Sequence, residues 1–348
     1  MQRHSILDTD TVLSALRRLN DLSGEVMTLI VTDSDGRLRG TVTDGDIRRA
    51  LIRGTRPEDS VSDVMNRDFT ALNHPEDARA IRAARARGIR LLPVVDAEGR
   101  VERLIDLTRQ DTVLPLSAIL MAGGKGERLR PMTLAKPKPL LEIDSRPIID
   151  YNIRNLARAG IRDVSVTVRY LAEQLEEHFS RPVCGIDVRC VREEQPLGTI
   201  GSAALVKRRS AFADTLVMNS DLLTNVSLEE MYLRHAEEQA DVTIAAIPYA
   251  VSVPYAILST DGPRVTALSE KPTYSHFANA GIYIFSNRLL DTLPTDCRTD
   301  ATDLIEKAIA DGMKVVHFPL NGTWIDIGSP ADFRHAEELM RHHREWLA

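Results

Sequence analysis

The sequence is poor in cysteine, with three in 348 residues and no C-x-x-C pair. An odd number of cysteines argues against a disulfide framework, and nine histidines without paired ligand spacing argue against a zinc site. Long apolar runs are also missing, since no stretch approaches the ~20 apolar residues that cross a bilayer. The first ten residues, MQRHSILDTD, lack the apolar centre of a signal peptide. A cytoplasmic protein without membrane contact is expected.

Positive charge is scarce overall but concentrated in one place. The net charge of −6 argues against nucleic-acid binding, so any anionic ligand must meet a local cluster of basic residues. Only seven lysines accompany thirty-seven arginines, and none precedes Lys125. Lys125, Lys136 and Lys138 nevertheless lie within fourteen residues. Because a lysine ammonium is a compact charge that suits phosphate, this clustering indicates a phosphate-binding segment.

That segment, LMAGGKGERLRPMTLAKPKPLL at 120–141, combines three glycines, five basic residues and three prolines. It does not fit the dinucleotide fingerprint, because Leu129 stands where a third glycine is required. It does not fit a P-loop either, because Ile119 and Gly126 occupy positions that need glycine and Ser or Thr. A basic loop without a ligand is the alternative for the glycines alone.

The first 113 residues contain an internal repeat. The segments IVTDSDGRLRGTVTDGDIR at 30–48 and PVVDAEGRVERLIDLTRQ at 93–110 each predict a β-hairpin with an acidic turn. Gly36 and Gly99 occupy equivalent positions in the two turns. One such unit cannot bury its apolar face alone, so the two are expected to pack together.

A helical pattern precedes each hairpin. The first, DTVLSALRRLN, is expected to place Val12, Leu13, Leu16 and Leu19 on one buried face. The second, PEDARAIRAARARG, begins at a proline with acidic residues and ends at a glycine.

This repeat resembles a tandem pair of CBS modules, the adenosine-ligand-sensing unit called a Bateman module. In that family a Thr-x-x-Asp at the end of the second hairpin strand holds ribose hydroxyls, and the first repeat has Thr43 and Asp46 there. The second repeat departs from the pattern, with Asp106 and Arg109. The resemblance implies a regulatory nucleotide at Thr43 and Asp46. The alternative is that both residues only cap the following helix.

The pattern changes after Pro115 to alternating strands and helices. Short connections between alternating elements predict an α/β domain with a mostly parallel sheet and helices on both faces. We therefore predict two domains, an α+β CBS pair over 1–113 and an α/β domain over 117–348. Ligands on such sheets bind beyond the carboxyl ends of the strands, where the basic segment lies. The C-terminal pair His342 and His343 is expected at the surface.

The second domain resembles the sugar-1-phosphate nucleotidyltransferases, which have a Rossmann-like fold. The resemblance covers about residues 117–348 and rests on motifs in the family's order. These are Gly-Gly-x-Gly-x-Arg-Leu-x-Pro followed by Lys-Pro, EEQPLGTIG at 193–201, MNSD ending at Asp221, SEKP at 269–272, NAGIYIF at 279–285 and WIDIGSP around Asp326.

The resemblance implies a Mg²⁺-dependent transfer of a nucleoside monophosphate from a triphosphate to a sugar 1-phosphate, with release of pyrophosphate. Arg128 and Lys138 would be the catalytic cations, and Asp221 and Asp326 would hold the metal. The other implied contacts are Ala122, Gly123, Gly124, Gly126, Gln195 and Gly198 with the nucleotide, and Glu270, Lys271, Asn279 and Gly281 with the sugar phosphate.

The motifs resemble most those of guanylyltransferases that act on hexose or glucosamine 1-phosphate, including those of nonulosonic (legionaminic) acid synthesis, so GTP is expected. Uridylyl- and adenylyltransferases share much of the pattern and are alternatives. A second alternative is a catalytically silent sensing subunit of the same fold. Such subunits tend to lose the arginine, the lysine or a metal carboxylate, whereas all four are present here. CBS pairs commonly associate, so a homo-oligomer is expected.

Overall fold

A computed structural model describes residues 2–342 of the chain, together with all their side chains except that of His342. The expected surface position of the His342 and His343 side chains therefore lies outside the described part. The chain divides into two compact units, one of residues 2–114 with Arg158–Gly160, the other of residues 115–157 and 161 onward. In the described part, no helix is both long and apolar enough to cross a membrane.

The first unit consists of two hairpin-containing repeats. Its regular elements are β1 (Ser5–Leu7), α1 (Val12–Asp21), β2 (Thr28–Thr32), β3 (Leu38–Thr43), α2 (Asp44–Ile52), α3 (Ala78–Ala86), β4 (Leu91–Val95) and β5 (Val101–Asp106). Strand β2 pairs parallel with β1 and antiparallel with β3, and β4 pairs antiparallel with β5. Each repeat has its own apolar core, and a third cluster joins Val26 and Ile30 of the first repeat to Leu91 of the second.

The two hairpin turns have matching geometry. Asp33 accepts hydrogen bonds from the backbone N–H groups of the second and fourth residues after it, and Asp96 does the same. Gly36 and Gly99 have φ angles of 80° and 79°, which glycine adopts without strain. The turns also pair with each other, because Leu38 N–H donates to the Gly99 carbonyl at 2.9 Å. The two repeats predicted from the sequence therefore pack together.

One detail of this unit differs from expectation, and a second distinguishes its two repeats. On α1 the buried residues are Val12, Ala15 and Leu19, whereas Leu13 is 40% exposed. The prediction that Leu13 lies on the buried face was wrong, because small Ala15 completes the apolar stripe instead. The second difference is that β5 is followed by turns up to Pro115, so the second repeat has no counterpart of α2.

The second unit is an α/β fold around a seven-stranded sheet. Its elements are β6 (Leu116–Ala122), β7 (Glu142–Ile143), β8 (Arg146–Pro147), α4 (Ile148–Arg158), β9 (Val164–Val168), α5 (Ala172–His178), β10 (Arg189–Arg192), β11 (Asp214–Asn219), β12 (Leu222–Thr224), α6 (Leu228–Glu238), β13 (Val242–Ser252), β14 (Ile257–Asp261), β15 (Arg264–Ser269), β16 (Thr273–Ser286), α7 (Asn287–Leu290), α8 (Ala301–Ala310), β17 (Val315–Pro319), β18 (Trp324–Asp326) and α9 (Pro330–His342).

The sheet has the order β10-β9-β6-β11-β16-β13-β17, and only β16 runs antiparallel to its neighbours. All five residues of β9 are buried, as are six of the seven of β6. Successive residues of a strand face opposite sides, so the central strands are covered on both faces. The prediction of a mostly parallel, doubly covered sheet is confirmed.

A short ribbon outside the main sheet brings together distant parts of the chain. Strand β12 pairs antiparallel with β18, with Leu222 opposite Asp326. Ile327 N–H also donates to the carbonyl of Asp221 at 3.2 Å. Two carboxylates separated by about a hundred residues of sequence are thus placed side by side.

Strands β13 and β16 extend past the sheet as a two-stranded arm that ends in the β14–β15 hairpin. From residue 247 to residue 279 no side chain of the arm is buried. The segment SEKP lies on this arm.

Candidate functional site

A cavity with a volume of about 630 Å³ opens at the carboxyl ends of β6, β9, β10 and β11. This is the edge at which parallel sheets bind ligands. Eight residues expected at the site line it: Ala122, Gly123, Gly124, Gly126, Arg128, Lys138, Gly198 and Asp221. The glycine segment and the Lys-Pro segment therefore meet one carboxylate in a single cavity.

Lys138 is the centre of the charged cluster. It begins a single 3₁₀ turn directly after Pro137, and only 8% of its surface is exposed. Its Nζ makes a short ion pair with an oxygen of Asp221 and lies 3.8 Å from Oδ1 of Asp326. A buried ammonium needs such anionic partners, because an unpaired charge is costly to bury. Lys138 and the two predicted metal ligands thus form one cluster.

The two carboxylates differ in their surroundings. Burial, and next to it the charge of Asp221, raises the pKa of Asp326, while Lys138 and Arg128 oppose this rise. The Oδ1 atom of Asp221 is buried and has no hydrogen-bonding partner among the described residues. An unsatisfied carboxylate oxygen beside a second carboxylate is a donor set that suits a hard cation such as Mg²⁺.

The protein alone does not supply a full coordination shell. Within residues 2–342, no group of three or more His, Cys, Asp or Glu side chains is placed to hold a metal ion. An ion held by Asp221 and Asp326 would therefore complete its oxygen ligands with phosphate and water.

The glycine segment is shaped by close contacts. Gly126 has φ of 60°, and a Cβ there would lie 3.0 Å from Thr133 and 3.2 Å from the Cβ of Lys138. Thr133 also donates its hydroxyl to the Gly126 carbonyl at 2.8 Å. At Gly123 a Cβ would lie 2.6 Å from a carboxyl oxygen of Glu193. Glycine is thus favoured at Gly126 by its positive φ and close contacts, and a side chain at Gly123 would displace the Glu193 carboxyl group.

The predicted base-binding loop is tied to the segment before α8. Gly198 has φ of 83°, and a Cβ there would come within 2.4 Å of the Thr299 carbonyl. The N–H of Thr199 donates to Asp300 at 2.9 Å. Gln195 does not line the cavity, and its side-chain amide donates to the Asp296 carbonyl at 2.9 Å. The loop is therefore anchored to this segment, with Gly198 at the cavity and the Gln195 side chain bonded outside it.

The four predicted sugar-phosphate residues do not line this cavity. Glu270 and Lys271 are exposed on the arm. Asn279 accepts a hydrogen bond from Gly281 N–H at 2.9 Å. Gly281 approaches the cavity indirectly, since a Cβ there would lie 2.5 Å from Asn219, which does line it. The roles of the four residues stay predictions.

Several charged residues of the cavity were not predicted from the sequence, among them Arg169 and Glu193. Glu193 is 6% exposed, and burial raises its pKa. Each residue directly follows a parallel strand, β9 or β10. That position was the available signal, because residues after such strands line the ligand-binding edge.

The first unit contains a separate cavity of about 400 Å³ that is lined by both repeats. Thr43 lines it, whereas Asp46 does not. The two residues form a capping box at the start of α2, and the Thr43 hydroxyl also donates to the Asp46 carboxylate at 2.7 Å. Both residues thus cap α2, while ribose binding by the same residues stays a prediction.

Comparison with known proteins gives two family matches. The sequence model described as nucleotidyl transferase matches residues 117–343, and the model of the CBS domain matches residues 2–53. The D-glycero-alpha-D-manno-heptose 1-phosphate guanylyltransferase of Aneurinibacillus thermoaerophilus is 31% identical over 230 residues, which are 66% of this chain and all of that protein.

A second relative is longer than the matched region. The mannose-1-phosphate guanylyltransferase catalytic subunit beta of Danio rerio is 32% identical over 231 residues, which are 63% of this chain and 62% of that protein. The chain therefore spans less than two thirds of that relative. Among solved structures, HddC from Yersinia pseudotuberculosis superposes with a TM-score of 0.51 at 22% identity, over 65% of this chain and 99% of that one. This likeness supports the fold. The match to residues 2–53 shows an N-terminal CBS domain. The match over most of the chain establishes that the protein belongs to the nucleotidyl transferase family.

Proposed function

We propose that the protein transfers GMP from GTP to a hexose or glucosamine 1-phosphate and releases pyrophosphate. The observation that carries this proposal is the cluster of Lys138, Asp221 and Asp326 beside the glycine segment. Guanylyl transfer is favoured over uridylyl or adenylyl transfer because the heptose and mannose relatives above are named guanylyltransferases.

In this reaction a phosphate oxygen of the sugar 1-phosphate attacks the α-phosphorus of GTP. A new P–O bond forms, the bond from the α-phosphorus to the bridging oxygen breaks, and pyrophosphate leaves with the electron pair. Both reactants are polyanions, so the chain must supply positive charge where negative charge accumulates.

Each part of the site has a role in supplying that charge. Lys138 lies beside the α-phosphate and the attacking phosphate, and Arg128 binds the departing β- and γ-phosphates. The backbone N–H groups of the loop from Gly123 to Gly126 bind phosphate oxygens. Mg²⁺ held by Asp221 and Asp326 would add positive charge to the phosphates.

Substrate recognition uses the remaining predicted residues. Gly198 lets the base approach the loop backbone closely, and Gln195 contacts the base after release from Asp296. Glu270, Lys271, Asn279 and Gly281 contact the sugar and its phosphate, which requires the arm to approach the cavity. A cytoplasmic homo-oligomer is part of the same proposal.

The reaction is tested by measuring pyrophosphate release with GTP, UTP, ATP, CTP and dTTP against glucose, mannose, glucosamine and heptose 1-phosphates. The fastest release is expected with GTP. Lys138→Met is the matched negative control, because it keeps the length and apolar stem of the side chain. No release with any pair would instead support the silent sensing subunit.

We also propose that the cavity of the first unit binds a regulatory nucleotide through Thr43 and Asp46. Thr43 lines this cavity, whose volume of about 400 Å³ has room for an adenosine ligand. Thermal shift with AMP, ADP and ATP tests this, with Thr43→Val as the variant and Thr43→Ser as the hydroxyl-retaining control. A ligand-dependent shift that persists in Thr43→Val contradicts the role of Thr43.

A further inference from the structure

Three strand ends form a row across the wall of the active-site cavity. In the register of the sheet, Ala122 of β6 is opposite Val168 of β9, and Val168 is opposite Arg192 of β10. The residues that follow, Gly123, Arg169 and Glu193, therefore stand side by side. The Glu193 side chain extends toward Gly123, since its carboxyl oxygen lies close to where a Cβ of Gly123 would be.

Arg169 is the residue in this row whose polar groups are left unsatisfied. Its Nε is buried and has no hydrogen-bonding partner in the described part of the chain, although the residue lines the cavity. The charge of Glu193 is near enough to interact with it. Arg146 and Arg189 likewise each have a buried nitrogen without a partner in the described part, but of these three arginines only Arg169 lines this cavity. A ligand in the cavity is therefore the expected acceptor for its guanidinium.

The position of Arg169 in the sheet indicates which part of a bound nucleotide it would contact, the base or the phosphates. Asp221 follows β11, which is two strands away from β9. At about 4.8 Å per strand, the two strand ends are about 10 Å apart. A triphosphate beside Lys138 and Asp221 would therefore extend its base toward β9 and β10, where the loop from Pro196 to Thr199 also lines the cavity.

We propose that Arg169 determines base specificity by donating two hydrogen bonds from its guanidinium to O6 and N7 of guanine. This inference rests on the proposed nucleotidyl transfer at the same site. Guanine offers two adjacent acceptors on that edge, whereas adenine offers one acceptor beside a donor, and the pyrimidines have no N7. Glu193 is a positioning residue that holds the guanidinium in the row by its negative charge.

The first test uses Arg169→Lys, which keeps the positive charge and loses the planar pair of donors. We expect kcat/KM with GTP to fall about 10- to 100-fold, the loss typical of one bidentate base contact, with little change for ATP and UTP. Arg181→Lys, at an exposed position that does not line the cavity, is the matched control and should behave as wild type. An equal fall with all three nucleotides would assign Arg169 to the phosphates and overturn the proposal, as would unchanged kinetics.

A second test needs neither a variant nor turnover. Isothermal titration of the wild-type chain should show GTP binding at least tenfold more tightly than 7-deaza-GTP, which lacks the N7 acceptor, and than ATP. Equal affinities for the three overturn the role of Arg169. If guanine-selective binding is found without pyrophosphate release, the inference about Arg169 stands and the proposed reaction fails.

Discussion

Replacing Lys138 separates the electrostatic part of this site from its packing. Lys138→Met keeps a side chain of similar length in a position with 8% exposure, while the ammonium between Asp221 and Asp326 is lost. Lys138→Arg keeps the charge and changes its shape. The pair of variants therefore distinguishes a need for charge from a need for a compact charge.

Two effects of Lys138→Met can be given a size. A hydrogen bond to a charged group contributes about 1.5–3 kcal/mol, so a loss of about 2 kcal/mol would lower the melting temperature of a unit of this size by roughly 4–8 °C. Removing one electrostatic contact to the developing charge typically lowers kcat by about 10²–10³-fold. The loss of activity should thus be far larger than the loss of stability.

The assay is pyrophosphate release at saturating GTP and sugar 1-phosphate, at a temperature well below the variant's melting temperature. Lys138→Arg should retain folding but lose most activity, because the larger planar guanidinium cannot place a compact point charge where the buried ammonium of Lys138 lies. If Lys138→Met keeps kcat within threefold of wild type, Lys138 is not the cation of the reaction.

Two further predictions concern stability and the base loop. Burial and the charge of Asp221 raise the pKa of Asp326 in the folded protein above its ordinary value of 3.8. Ionisation of Asp326 therefore disfavours the folded state, and stability is lost as the pH rises from 3.8 through the raised pKa. The melting temperature of Asp326→Asn minus that of wild type should therefore increase from pH 4 to pH 7. A difference that stays constant or falls over this range contradicts the prediction. Gly198→Ala should lower stability by about 1–3 kcal/mol, because its φ is positive and its Cβ would meet Thr299. Gly124→Ala, which meets no atom within 4 Å, is the control and should melt as wild type does.

The features that the sequence predicted are those with local signatures. Alternating apolar strands and helices predicted the mostly parallel sheet, and the acidic turns at Gly36 and Gly99 predicted two hairpins. The convergence of Lys138, Asp221 and Asp326 came from resemblance to a family and not from spacing, because the β12–β18 pairing that joins them links distant segments.

The features that the sequence did not predict depend on tertiary contacts. Gln195 was expected at the base, but its amide bonds to the Asp296 carbonyl, a residue about a hundred positions later. Arg169 directly follows an apolar strand, a position that indicates the ligand-binding edge, but its neighbours Gly123 and Glu193 are identified only by the pairing of three strands. Leu13 was placed on the wrong face because Ala15 is small and gave a weak apolar signal.

The most direct test of the whole account is a comparison of pyrophosphate release by the wild-type chain and by Lys138→Met, with GTP and a panel of sugar 1-phosphates. Wild type is expected to release pyrophosphate only with both substrates and fastest with GTP, and release should fall at least a hundredfold in the variant. Release by neither protein with any pair of substrates, in samples that bind GTP and melt cooperatively, would contradict it.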